Sequence, residues 1–319
     1  MDGFETLNLK TKANSIDEDY LTITGLDPKM NIDDILDSKI VESKTILHEK
    51  LEDYLILLDE GIKVVIKMHE ICKSNNLKKK SGFAFVVLTA KFISLFIGIR
   101  KMIYSGLVDC IKNLNRPLIE TIDIFYACLN NKELSDAFAR THEMYDNNKF
   151  YWDKFSKDKL SKEYISLFNK LSLDKDYIEF LNSRRKSLRS FLSESIHSSF
   201  NATFSNYTMC TLDLEFSDNY YGKVTTAYPR ILMTLIEEIY ILTSVFSLTL
   251  EHKIAKDFVN MNVEDIDPLF LHYNNKFADL YRNNWKHLSE QSELYTIFFT
   301  EVMNLMKEDS NGTKDQKIV

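Results

Sequence analysis

Apolar positions in this chain recur in steps of three and four over long stretches, the spacing that lines one face of an α-helix. The clearest run spans about residues 33–74, where Leu47, Leu51, Tyr54, Leu55, Leu58, Ile62, Val65 and Met68 form one stripe. The segment NNLKKKSG that follows, residues 75–82, reads as a turn whose lysines suit the C-terminal end of the preceding helix. A second helical stretch, about 83–130, is expected to break or kink near Ser105-Gly106 or at Pro117. Residues 132–146 and 148–171 read as two shorter helices with lysine-rich surfaces, and Asp174 stands where it can cap a further helix reaching about residue 206. Residues 207–222 are aromatic and polar without a helical period, so a loop or a small strand pair is expected there. Two last helices are predicted over about 224–258 and 265–307.

The two ends read differently. Residues 1–30 lack sustained periodicity and predict an arm, with a short strand at 21–23 ahead of the Gly25-Leu26-Asp27-Pro28 turn signal. Residues 308–319, EDSNGTKDQKIV, hold too little apolar content to order themselves. The expectation is an all-α protein: a compact bundle of long antiparallel helices. Its divisions are an arm at 1–30, a single helical domain at 31–307 and a disordered tail at 308–319.

Composition sharpens the class. Of 319 residues, 45% are apolar and 27% charged, so a substantial core is expected. Only eight glycines and four prolines are present, too few for the frequent turns of a sandwich or barrel. A formal charge of −7 argues against a surface cloaked in basic charge for nucleic acid, while leaving room for a local basic cleft. The four cysteines form no C-x-x-C pair and no disulfide framework. The N-terminal sequence shows no apolar signal-peptide core, so a reducing cytoplasm is the expected location. One segment, FAFVVLTAKFISLFIGI at 83–99, has the look of a membrane span. Lys91 at its centre would cost about 2.5–3.5 kcal/mol in a bilayer. A helix buried in protein, with Lys91 and Ser94 on its polar strip, is therefore the preferred reading, without stable membrane insertion. A membrane-associated helix is the minority alternative.

Three clusters carry candidate chemistry. The first is Arg282-Asn283-Asn284-Trp285-Lys286-His287. An arginine can hold a phosphate and stabilise its developing charge, and an imidazole can exchange protons near neutral pH. Five helical positions turn through about 140°, so Arg282 and His287 flank the Tyr281–Trp285–Leu288 stripe instead of sharing a face. Two border residues of an amphipathic helix are the plain alternative. The second cluster joins two helices: Arg116, Glu120 and Asp123 share one stripe, and Arg189, Ser193 and His197 share another. A structural Arg116–Glu120 ion pair and a packing role for His197 are the alternatives there. The third is Arg184, Arg185, Lys186 and Arg189, where Arg185 and Arg189 repel unless an anion lies between them. An RNA phosphate is one such anion; the plain alternatives are a solvated face or pairing with acidic side chains.

Arg282-Asn283 followed by His287 resembles the R-N-x-x-x-H motif of HEPN ribonucleases, a helical superfamily common in prokaryotic toxins and defence effectors. Arg116 with Glu120, and Leu192-Ser193 with Ile196-His197, are similar to the R-x-x-x-E and L-S-x-x-v-H helices of a prokaryotic family that itself resembles HEPN domains. The resemblance implies metal-independent RNA cleavage in a cleft between two subunits, hence a homodimer, in phage defence or toxin–antitoxin control. In that reaction the RNA 2′-hydroxyl attacks the adjacent phosphate, His287 exchanges a proton, Arg282 stabilises the phosphorane-like charge and Asn283 orients phosphate or imidazole. Arg116 and Glu120 support the site from a neighbouring helix, and His197 is a further catalytic candidate. The middle segment departs from the ribonuclease pattern, because seven residues separate Arg189 from His197 and Ser190 follows the arginine. No cofactor is expected, since the G-x-G-x-x-G, Walker A and G-x-S-x-G patterns do not occur. No metal is expected either: His69-Glu70-Ile71-Cys72-Lys73 has lysine where a zinc-protease helix needs its second histidine. The competing function is a non-catalytic helical module that binds a protein partner.

Overall fold

The computed structural model describes residues 32–76, 80–140, 149, 153–155, 157–196, 212, 223–254 and 268–312. Within them the chain is all-α, as the periodicity predicts, with no strand among the described residues. The helices are α1 (Ile32–Lys50), α2 (Glu52–Asn76), α3 (Lys80–Tyr104), α4 (Val108–Asn130), α5 (Lys132–Ala139), α6 (Lys157–Lys170), α7 (Lys175–Ile196), α8 (Tyr228–Glu251) and α9 (Pro268–Gly312). The expected arm at 1–30, its strand at 21–23 and the loop or strand pair at 207–222 fall outside the described residues, apart from Leu212.

Every member of the stripe from Leu47 to Met68 is buried. A break at Leu51 divides that stretch into α1 and α2. Between α3 and α4 the chain turns at Ser105-Gly106, where Gly106 takes a φ of 69°. Leu107 N–H donates to Met102 C=O and Gly106 N–H to Ile103 C=O, so the frayed carbonyls of α3 are satisfied by a left-handed cap. Pro117, the alternative position for that break, lies inside α4 without ending it. Asp174 caps α7 as expected, its Oδ1 accepting from the N–H groups of Asp176 at 2.9 Å and Tyr177 at 3.2 Å. At the far end, α9 is helical through Gly312, five residues into the predicted tail.

Two layers of contact organise the bundle. Helix α2 packs against α3, α8 and α9, while α4 packs against α3, α6 and α7. An aromatic chain ties these layers together. Phe125 of α4 meets Phe85 and Phe92 of α3 edge-on at 5.6 and 5.4 Å and lies 6.1 Å from Phe246 of α8. Phe246 in turn meets Phe270 of α9. Gly61 permits the close approach of α2 to α8 and α9: a Cβ there would sit 2.9 Å from Ile239 Cγ2 and 3.1 Å from the Phe277 ring. Tyr54 adds a polar tie, its hydroxyl donating to Leu288 C=O at 2.6 Å.

Ser81–Tyr104 and Tyr228–Glu251 are both long and apolar enough to cross a membrane. Their most apolar 18-residue stretches are 56% and 72% buried inside the bundle, and Lys91 and Ser94 lie on the exposed strip of α3.

Candidate functional site

The two stripes of the middle region face each other. Arg116 of α4 stands opposite Ser193 of α7, its Nη1 donating to Ser193 Oγ at 3.4 Å. Two turns along α4, Asp123 stands opposite Arg189 and Arg185, which lie further back along α7. Advancing on one helix means retreating on the other, so α4 and α7 run antiparallel here. The Arg116 Nε also donates to Glu120 Oε1 at 3.1 Å, and this end remains partly open to solvent. His197, the last residue of the predicted motif, falls outside the described residues.

Deeper in, three arginines of α7 meet three carboxylates. Arg184 pairs with Glu237 at 2.6 Å and with Glu238; Arg185 pairs with Glu238 at 2.6 Å and with Asp123 at 3.4 Å; Arg189 pairs with Asp123. Asp123 and Glu238 are fully enclosed. The anion that relieves the Arg185–Arg189 repulsion is thus Asp123, and of the four predicted RNA-binding residues only Lys186 is exposed. Burial pushes the Glu238 carboxyl up, but Arg185 and Arg184 overcome it and hold the group below its ordinary value. At Asp123 burial wins and the value rises despite Arg185 and Arg189. For Arg185, burial is outweighed by Glu238 and Asp123, which keep the guanidinium charged.

Sequence reasoning named the arginines and placed Asp123 on the facing stripe, but missed Glu237 and Glu238. A signal was present: two adjacent acids interrupt YPRILMTLIEEIYILTSVFSL, one of the most apolar stretches of the chain. Acids in such a context are buried, and buried acids need cationic partners.

Arg282, Asn283 and His287 occupy a different place. All six residues from Arg282 to His287 are exposed on α9, between the buried Tyr281 and Leu288. Arg282 pairs with Asp279 at 2.7 Å, both side chains more than half exposed. Among the described residues, no hydrogen bond or ion pair joins Arg282 or His287 to Arg116 or Glu120. The nearest link is indirect, from Trp285 Nε1 to Glu237 at 3.5 Å.

A cavity of about 400 Å³ opens beside the charge network, between α4, α7, the N-terminal half of α8 and one turn of α9. Lys112 and Asn115 contribute to its wall, each more than nine-tenths buried. Burial lowers the Lys112 ammonium pKa, with Asp109 offsetting part of the effect. Among the described residues, no group of three or more His, Cys, Asp or Glu side chains is placed to hold a metal. Cys72, Cys110 and Cys128 are free thiols, the last two on α4.

The chain matches no family model, curated protein or solved structure.

Proposed function

We propose that this chain is a HEPN-like, metal-independent endoribonuclease, or an effector derived from one, that works from the α4–α7 junction. The observation that supports this reading is the contact between Arg116 and Ser193, 77 residues apart, which juxtaposes the two helices that carry the R-x-x-x-E and L-S-x-x-v-H patterns. A partly exposed arginine beside a carboxylate and a hydroxyl supplies what phosphodiester transfer needs: a cation for the developing phosphorane charge and groups that orient the phosphate. In the reaction the RNA 2′-hydroxyl attacks the adjacent phosphorus while its proton passes to a base, and the 5′-oxygen leaves with a proton. His197, four residues after Ser193, is the proton-exchanging group; Arg116 stabilises charge and Glu120 holds the guanidinium in place. The role in phage defence or toxin–antitoxin control rests on family resemblance alone.

Cleavage of a mixed-sequence RNA by the purified chain in EDTA tests this assignment. Arg116→Ala and His197→Ala are expected to abolish cleavage, whereas Arg282→Ala and His287→Ala retain it. Loss only in the second pair would return the chemistry to α9, in a cleft formed between two subunits. Undiminished cleavage by all four variants would sink both.

A second reading, a non-catalytic module that binds a protein partner or a second copy of itself, draws on α9. There Leu294 and Ile297, one turn apart, are 68% and 55% exposed, continuing the open face that begins at Arg282. It predicts an RNA-inactive chain whose mass in light scattering exceeds 37.4 kDa or rises with a bound partner.

A further inference from the structure

The two helices long and apolar enough to cross a membrane differ in what they leave uncovered. On α8 the positions outside the core are mostly polar, Arg230, Thr234, Glu237, Ser244 and Glu251 among them, as a helix packed between a core and water requires. On α3 the uncovered face is largely apolar. Phe83, Val87 and Ile97 are 41%, 43% and 40% exposed, and Ala90 lies among them. Turning about 100° per residue, the helix gathers these four into an arc of about 80°, with Ser94 and Lys101 on it and Lys91 at its border. Single exposed apolar residues are ordinary on a protein surface, but a row of them along one face marks a contact.

The charge on this face has one sign. Helix α3 contains no Asp or Glu, in a chain whose net charge is −7. Its Arg100 turns to α2 and pairs with Asp59 at 2.7 Å, whereas Lys91 and Lys101 are exposed with no ion pair among the described residues. Whatever covers the row has to accept apolar side chains and supply negative charge. A second copy does not meet that condition: a two-fold axis near the middle of the row would bring the two Lys91 side chains together, with no acid from either helix between them.

We propose that the outward face of α3 docks on the surface of an anionic lipid bilayer. The helix lies along the surface, Phe83, Val87 and Ile97 enter the boundary between headgroups and acyl chains, and Lys91 and Lys101 reach the negative headgroups. It does not span, because its opposite face, with Phe85, Phe92, Phe96 and Ile103, is buried in the bundle against α2 and α4. The net negative charge of the chain opposes adsorption, so the attraction is local and sensitive to salt. The face carries no residue of the α4–α7 junction, and the inference stands independently of the ribonuclease reading.

Flotation of the full chain with vesicles tests the assignment without reference to activity. At low salt, binding to phosphatidylcholine containing about one-third phosphatidylserine is expected to be about tenfold tighter than to phosphatidylcholine alone, and to weaken in high salt. Replacing both Lys91→Gln and Lys101→Gln should erase most of that preference. Replacing both Val87→Ser and Ile97→Ser should weaken binding to anionic vesicles about tenfold. All four positions are exposed, so helicity and the urea midpoint should stay near those of the wild type. Leu294→Ser with Ile297→Ser, the matching change on the exposed apolar pair of α9, should leave flotation unchanged. The proposal is overturned if the wild-type chain does not float with anionic vesicles, if it binds both vesicle types alike, or if the α9 change weakens binding as much as the α3 change. It is overturned as well if the α3 changes leave flotation untouched and instead convert a dimer to a 37.4 kDa monomer in light scattering, which would make the face an interface between copies.

Discussion

Two arginine-bearing helices invite the same guess from sequence and occupy opposite environments. On α7, Arg184, Arg185 and Arg189 are drawn into the interior and neutralised by Asp123, Glu237 and Glu238. On α9, Arg282 stands in solvent beside Asp279, with Lys286 reaching Glu290 at 3.9 Å. The first set is held by desolvated charges with no other compensation nearby. The second consists of solvated charges, whose mutual attraction is screened and offset by side-chain entropy. A cluster of arginines therefore says little about nucleic acid until its counter-charges are located. At α7 those counter-charges come from helices 53 to 66 residues away in sequence.

The largest effect should come from breaking the enclosed set. Removing one partner leaves an uncompensated buried charge, which costs about 3–5 kcal/mol. Glu238→Ala takes from Arg184 and Arg185 the carboxylate they share and leaves Arg184 only Glu237 and Arg185 only Asp123 at 3.4 Å, and urea unfolding should show that loss; should the variant fail to accumulate, Glu238→Gln gives a milder version of the same deficit. The pH dependence has a definite sign. Because Arg185 and Arg184 hold Glu238 below its ordinary 4.5, its contribution is complete above that value and fades as pH falls through the lower folded value. The stability gap between wild type and Glu238→Gln should stay constant from neutral pH to about 5 and close only in stronger acid. A gap that is the same at every pH would mean that the pairs contribute nothing through charge.

The intermediate case lies on α9 itself, where anchoring and exposure alternate within two turns. Phe277, Tyr281 and Leu288 are buried and pin the helix to α2 and α8, whereas 282–287 touch little. Gly61 is the place where that anchoring is tightest. Adding a methyl group there pushes on Ile239 and Phe277 together, and overpacking of this kind costs about 1–3 kcal/mol. Gly61→Ala should lower the denaturant midpoint accordingly. A gain instead, of the sort that replacing a helical glycine brings where space allows, would show that α9 shifts easily on the bundle.

Much of this arrangement was legible, and the failures have physical causes. Burial of Leu47 through Met68 followed from periodicity because a stripe that wide has to face a core. The turn at Gly106 was legible because glycine takes a positive φ at low cost. The end of α8 was placed seven residues too late: Lys253 adopts a φ of 53° with no glycine to advertise it, and the cap relies on Ile254 N–H donating to Thr249 C=O. Of the two positions offered for a break in the second helical stretch, the chain uses Gly106, and Pro117 stays inside α4, where tertiary packing outweighs one missing hydrogen bond. At the site, sequence spacing identified both facing stripes, since each is a local property of one helix. It did not show that the stripes pair antiparallel, nor that Glu237 and Glu238 complete the network. Those are long-range facts, set by how helices pack.

The smallest effect tests the other side of the comparison. Asp279 and Arg282 are joined by a bond of 2.7 Å, as short as those in the buried set, yet both side chains are more than half exposed. If short distance measured strength, Arg282→Ala would be as damaging as the loss of a buried partner. The solvent argues otherwise: water already solvates both groups, and holding two flexible side chains together costs entropy comparable to the screened attraction. Arg282→Ala, Asp279→Ala and the double variant should each lie within about 0.5 kcal/mol of wild type, with a coupling between them that vanishes in high salt. A deficit of 2 kcal/mol or more would be on the order expected of a desolvated pair. It would mean that the 282–287 face is covered in solution, and concentration-dependent unfolding would then identify a second copy of the chain as the cover.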